Sequence, residues 1–496
     1  MFTFFKYFIF IVILLSLGLT YLLYTSFGNQ KIYRFAGYIL SQKAGLLVEV
    51  KSINIREYPK VIIEMNVERK AKLIFTGELN NESLDMDYTL TSECIASDVC
   101  KIDDNINVKG NVNGPFSHLS IRGKGEALDG NVHYSVVKFP DKVEDLNLTM
   151  RDVNSSKLFT LMGQEALIKG KADVKVMFQI MGTNNKQGYI TYDVKDNNFS
   201  GIPLNLHTTV NIDNMKQSFI IDITSPFLKL NISEGTYDQE KKLAKAFYIL
   251  DVKDLGALET LLGYKYLGSF YAMGEMSYDK YITIIGLSKS FGGMIDYIFE
   301  KDGLKVELID VSFNNFMKLF PFPSIIDADT RGNIYYNFIQ DTLVVNTTLK
   351  NAKFLPSSIV DAVYQRSGVK MRKETFDDCL LNATYHNNVL YGDMKLANEK
   401  SYFQITNVKM DSEKDIINAG FDFKMQRQEF TGKVFGSLND PNVDLDMHKL
   451  IKYQMDKQLD NIMGKKGRKI MEKMPMGSAA KGMAAGIGAG FVGMFF

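Results

Sequence analysis

Tryptophan is absent from this 496-residue chain, and proline (10), histidine (5) and cysteine (3) are scarce. Scarce proline argues against long disordered linkers, whose composition is normally proline-rich. The histidines (His118, His133, His207, His386, His448) are scattered, and Cys379 sits in an apolar Cys-Leu-Leu run without a partner motif. No metal-ligand spacing results, so neither metal nor cofactor is expected. Net charge is missing too. Lys plus Arg (58) against Asp plus Glu (57) leaves +1, which removes any global electrostatic case for nucleic acid. Catalytic motifs fail on inspection. Gly488-Ala-Gly-Phe-Val-Gly493 matches G-x-G-x-x-G but has no following helix and strand to complete a dinucleotide site. Gly286-Leu-Ser-Lys-Ser misses the last position of a nucleophile elbow. A non-enzyme is expected.

What is abundant is alternation. Runs such as Ala172-Asp-Val-Lys-Val-Met-Phe-Gln-Ile, Gly188-Tyr-Ile-Thr-Tyr-Asp-Val and Gly332-Asn-Ile-Tyr-Tyr-Asn-Phe place apolar residues on one face of a strand. Polar turns such as Gly182-Thr-Asn-Asn-Lys separate them, as hairpins and meanders require. From Leu47 to Asp446 the texture is nearly uniform, and at ordinary spacing about 25–30 strands fit. A flat sheet of that many strands would leave one apolar face in water. The chain is therefore expected to be mainly β, an elongated, curled, mostly antiparallel sheet forming a groove, with few helices. A helix over Ile32–Ala44 precedes it.

Three stretches repeat one layout. Asp152-Val153, Leu158, Leu161 and Gly170 form the first. Asp251-Val252, Leu258, Leu261 and Gly268 form the second, and Asp310-Val311, Phe316, Leu319 and Gly332 the third. The apolar pairs are spaced to share one face of a short helix, and each glycine opens a new alternating run. Helices over 253–263 and 312–320 are expected to plug or cap the curl. A second repeat pairs Gly110-Asn-Val-Asn-Gly-Pro-Phe with Gly432-Lys-Val-Phe-Gly-Ser-Leu-Asn-Asp-Pro. In each, a glycine-flanked strand is followed by a tight turn and another strand.

The two ends differ from the middle. Phe4–Tyr24 is apolar and just long enough to span hydrocarbon, so residues 1–28 are read as a single-pass anchor with the bulk of the chain outside the cytoplasm. The alternative is a cleaved signal peptide. In an oxidising compartment Cys94 and Cys100 would form a disulfide across a polar loop; the alternative is two unpaired thiols. Residues 447–475 read as a basic amphipathic helix, suited to an anionic membrane, a partner's groove or the end of its own sheet. In the tail, 476–496, Gly482, Gly486 and Gly490 would form a smooth helical ridge for membrane contact, unless the tail is unstructured.

Four features together resemble the AsmA-like family of envelope proteins, which includes the TamB-type transport proteins. They are the amino-terminal apolar segment, Gly77-Glu-Leu with Ser83-Leu-Asp-Met-Asp-Tyr-Thr-Leu, the helix-then-glycine units, and the closing Gly-Ser-Leu-Asn-Asp-Pro-Asn-Val-Asp-Leu-Asp at 436–446. The resemblance covers most of residues 1–446. It implies an inner-membrane-anchored periplasmic groove over 29–446 that conveys phospholipid or another acylated lipid towards the outer membrane, without catalytic residues. Its partners would be that lipid, the inner membrane, and the outer membrane or an outer-membrane protein reached by the tail. The apolar strand faces supply the expected lining, among them Val174, Val176, Phe178, Ile190, Tyr192, Ile334 and Tyr336. Alternation alone fits a closed packed core equally well. The rival is a scaffold that assists outer-membrane protein assembly.

Overall fold

The computed structural model describes residues 37–446, short of positions 40, 43–45, 69, 96–101, 165–168, 184, 200, 264, 320–323, 412, 427 and 439. The expected anchor, the basic helix, the glycine tail with Gly482, Gly486 and Gly490, and Cys100 lie outside the described residues. Within the expected first helix, residues 37–39 and 41–42 are helical. No helix among the described residues is long and apolar enough to cross a membrane.

Strands hold 68% of the described residues, and helices are few and short. The described residues contain 26 strands, and the pairings are antiparallel between strands adjacent in the chain. Two compact units are present: 1–306 with 318–321, and 307–317 with 322–496. The first contains the strands from Val48–Glu57 to Met294–Glu300, and the second those from Ile326–Asn337 to Pro441–Leu445.

In the first unit the sheet has a closed region. Between Val48 and Phe178, one face of every strand is apolar and buried; Leu73, Phe75, Met86, Val108 and Val176 are at 0% exposure. Among the described residues this region pairs only between strands adjacent in the chain, so no second sheet supplies the cover. Such burial requires the strip to curl until its own side chains fill the enclosed space at core density. These residues form one contiguous cluster from Val48 to Val194.

Bulges help the sheet to bend. Asp145, Asp152 and Glu234 adopt positive φ (47°, 55° and 52°) where the pairing register slips. An extra residue in one strand strengthens local twist and bends the strand. The amide at such a step needs a new acceptor. At Asp152 it is the Asp173 carboxylate, 3.0 Å away.

Positive-φ aspartates mark the first and third copies of the repeated layout, whereas Asp251 of the second pairs in regular register. In the first copy Asp152 is the bulge and Val153 is fully buried beneath it. Helix α1 (Ser155–Leu161) follows, its Asn154 cap accepting from the amides of Ser156 and Lys157. The Ser155 amide donates to the Gly170 carbonyl at 2.9 Å, closing the excursion. In the second copy Leu255 donates to Gly268 at the same distance, around a 3₁₀ turn (Gly256–Leu258) and α2 (Glu259–Leu262). The third holds Asp310, at φ 53°, and α3 (Phe313–Met317). Gly170, Gly268 and Gly332 have φ of 136°, 84° and 152°, a region that favours glycine.

Two expectations need correction. Leu261 is 44% exposed, because α2 is a single turn and cannot present a second buried position. Gly332 lies inside its strand, which begins at Ile326. A fourth copy is also present in the second unit. Asn351 (φ 55°) and fully buried Ala352 replace Asp-Val, and α4 (Ser358–Ser367) follows, capped by Ser357 and ended by Gly368.

The second unit has its own core of stacked phenylalanines. Phe354 meets Phe403 edge-on at 5.1 Å, and Phe423 lies 5.2 Å from Phe430. Val360 and Val363 of α4, Met371 and Cys379 complete it.

Candidate functional site

The apolar face of the first unit continues past its closed region but loses its cover. In the strand Lys171–Met181, Ala172, Val174, Val176 and Phe178 all point inward at 7% exposure or less. The next strand continues the same rungs: Val174 opposes Tyr192 and Val176 opposes Ile190. Both new residues are only half-buried.

From there the rungs run on through apolar pairs. Ile190 opposes Val210, which opposes Phe219; Ile221 opposes Ile232, which opposes Tyr248. Val210, Phe219 and Ile221 are half-buried, whereas Val176 was at 0%. The far rim is open, with Tyr278 (46% exposed) directly opposite Ile282 (52%). Eight strands, from Lys186–Phe199 to Met294–Glu300, carry this face, about 34 Å across at normal strand spacing, with a buried patch at Ile232, Ala246 and Tyr248 in its middle. Alternation places polar residues such as Ser218 and Asn211 on the opposite face.

Within the face lies a device that appears twice in the first unit. Tyr248, Gly274, Gly286 and Tyr297 are directly opposed on four successive strands. The two tyrosines lean over the glycine gap until their hydroxyls bond at 2.5 Å. Tyr88, Gly110, Gly123 and Tyr134 repeat the row in the closed region, again with a hydroxyl–hydroxyl bond. Three strand spacings of a flat sheet would be about 14 Å. Glycine lets the rings lie flat against bare backbone and fill the gap, as when aromatics rescue glycines in designed sheets. Burial raises the Tyr88, Tyr134 and Tyr248 hydroxyls far above the ordinary phenol range, so all three stay neutral donors. A single pair does the same at Phe178, whose ring crosses the bare backbone of Gly188.

Of the expected lining, Val174, Val176 and Phe178 belong to the closed cluster, and Ile190 and Tyr192 stand at the start of the open face. Ile334 and Tyr336 lie in the second unit, opposite Val345 and Leu343, half-buried; Tyr336 donates to Asp341 at 2.5 Å. Cys94 is the penultimate residue of its strand, Ser83–Ile95, opposite Asp103, while its expected partner lies outside the described residues. Cys379 is a free, buried thiol, raised by burial to about 11. Among the described residues no group of His, Cys, Asp and Glu side chains is arranged to hold a metal ion.

Sequence reasoning found the alternation but missed the tyrosine rows. Their members are 11 to 26 positions apart, and only strand pairing brings them together. A tyrosine, two strand glycines and a second tyrosine on consecutive strands was the signal available. No protein-family model, curated protein or solved structure matches the chain.

Proposed function

We propose that the open face of the first unit binds the acyl chains of a phospholipid or another acylated lipid and conveys it between inner and outer membranes. One observation carries the reading: a single apolar sheet face passes from full burial at Val176 to half-burial at Ile190, Val210, Phe219 and Ile221, is buried again at Ile232 and Tyr248, and opens at Tyr278 and Ile282. A half-bilayer is about 15 Å deep, so a face about 34 Å across accommodates an acyl chain along it. Each methylene moved from water onto it contributes about 0.8 kcal/mol. The resemblance to AsmA-like envelope proteins supports the same reading, with the chain anchored in the inner membrane and lying in the periplasm, and with no catalytic step.

The test is lipid extracted from the purified full chain and identified by mass spectrometry. A Val210→Thr, Ile221→Thr, Ile284→Thr variant keeps β-branched residues in the strands while making the face polar. Acylated lipid should accompany the native chain and fall by half or more in the variant at unchanged circular dichroism. No lipid with either protein, or equal amounts with both, would reject the reading. The scaffold reading draws on Tyr271, Ile285 and Ile298, which leave apolar surface exposed on the other face of the same strands.

A further inference from the structure

The outer face of the closed region carries a polar basin. A shallow cavity of about 660 Å³ lies over the strands from Ser83–Ile95 to Val143–Asn154. Its floor includes the bare backbone of Gly110 and Gly123. Two cross-strand ladders flank that floor. One is Asp87, Asn111, Arg122, Ser135 and Asn147; the other is Thr89, Lys109, Lys124, His133 and Thr149. Lys175 extends the second ladder by one strand.

The charge arrangement in the second ladder is unfavourable as it stands. Lys109 and Lys124 are direct cross-strand neighbours, and His133 follows Lys124. Like charges placed directly opposite one another destabilise a sheet. Elsewhere in this unit bases find acids, as Lys72 does Glu64 and Lys142 does Glu144. Among the described residues Lys109, Arg122, Lys124 and His133 form no ion pair. The one carboxylate in the basin, Asp87, accepts from Asn111 at 3.1 Å. Three basic side chains thus converge on a concave surface whose remaining polar side chains are hydroxyls, amides, an imidazole and the single Asp87 carboxylate.

We propose that this basin binds a phosphorylated sugar. The Lys109–Lys124 pair, with Arg122 beside it, receives the phosphate through charge-assisted bonds. Ser135, Asn147 and Thr149 supply neutral donors and acceptors for sugar hydroxyls. The ligand's source is either a soluble phosphosugar or the headgroup of a glycolipid. The basin lies on the opposite face from the acyl-binding surface and does not depend on it.

The experiment is calorimetric titration of the full chain in detergent with glucose bisphosphate and with inorganic phosphate. Flotation with vesicles of phosphatidylcholine, alone or containing phosphatidylinositol phosphate, runs in parallel. Glucose bisphosphate should bind more tightly than phosphate and weaken as salt rises. Lys109→Gln with Lys124→Gln should weaken it by about tenfold or more, the loss of one or two hydrogen bonds to a charged group. The same pair should raise the melting temperature of the unliganded protein at low salt, because like-charge repulsion is removed. Lys229→Gln with Lys245→Gln, an equal charge change on other strands, should leave binding within twofold. Soluble ligand without vesicle capture identifies a free phosphosugar. Capture by the phosphoinositide vesicles that glucose bisphosphate competes away identifies a headgroup. No binding of either source, or equal weakening by both lysine pairs, overturns the proposal.

Discussion

Replacing Gly286 with alanine tests the tyrosine row by its sign. Gly→Ala at a tolerant site usually stabilises by about 0.4–1 kcal/mol, because the unfolded chain loses freedom. At Gly286 an added Cβ would lie 2.0 Å from the Tyr248 hydroxyl and 2.7 Å from the Tyr297 ring. Both rings must move, which costs about 1–3 kcal/mol as overpacking. The Tyr248–Tyr297 bond, worth about 1 kcal/mol, is lost with them. The net expectation is destabilisation by about 2 kcal/mol. Tyr248→Phe alone should cost about 1 kcal/mol. Combined with Gly286→Ala it removes the closest clash, so the double variant should be less damaged than the sum by about 1 kcal/mol. Hydrogen exchange of peptides spanning 270–288 reads this locally, without assuming that the whole chain unfolds in one step. A stabilising Gly286→Ala, or costs that simply add, would refute the role given to the row.

Two further outcomes are expected. Lys157 joins α1 to Asp104 at 3.0 Å and to Asp129 at 2.6 Å, and the Asp104 side chain is only 1% exposed. Lys157→Met should therefore cost about 2–3 kcal/mol in urea unfolding, since a hydrogen bond to a buried charge goes unmade. The hydrogen bond from Lys157 lowers the Asp129 carboxyl, so its contribution is present above its unfolded pKa and lost as pH falls through the folded one. Burial opposes the charge on Lys157, but its bonds to Asp129 and Asp104 outweigh that and raise it. That share is present below the unfolded pKa and lost as alkaline pH passes the folded one. The wild-type acid limb should flatten in Lys157→Met, and an unchanged limb would contradict the linkage. Cys379, 3% exposed and raised by burial to about 11, should resist maleimide in the native protein at pH 8 and react on unfolding. Rapid native labelling would show that its core is open.

The strands were legible in the sequence because alternation is a local signal, and 26 strands fall within the expected range. The helix positions were legible too: 253–263 and 312–320 enclose Gly256–Leu262 and Phe313–Met317. The glycine hairpins at 110–127 and 432–445 form as read, with Gly114 and Gly436 at φ of 123° and 106°. What escaped was non-local. The fourth helix unit hid because Asn351-Ala352 preserves the bulge and the buried small residue without the letters Asp-Val. The transition from closed to open at Ile190 also escaped, since Val176 and Ile190 have the same pattern on either side of it. Burial depends on how far the sheet curls, which one strand's period does not encode.

The central claim is that the open face holds acyl chains, and site-specific photocrosslinking in membranes tests it most directly. A photoreactive residue at Ile221 or Tyr192 faces inward on the open strands, whereas one at Ser218 faces the other way. Lipid adducts are predicted at Ile221 and Tyr192 and not at Ser218. Equal labelling on both faces, or none on the inner face, would contradict the account.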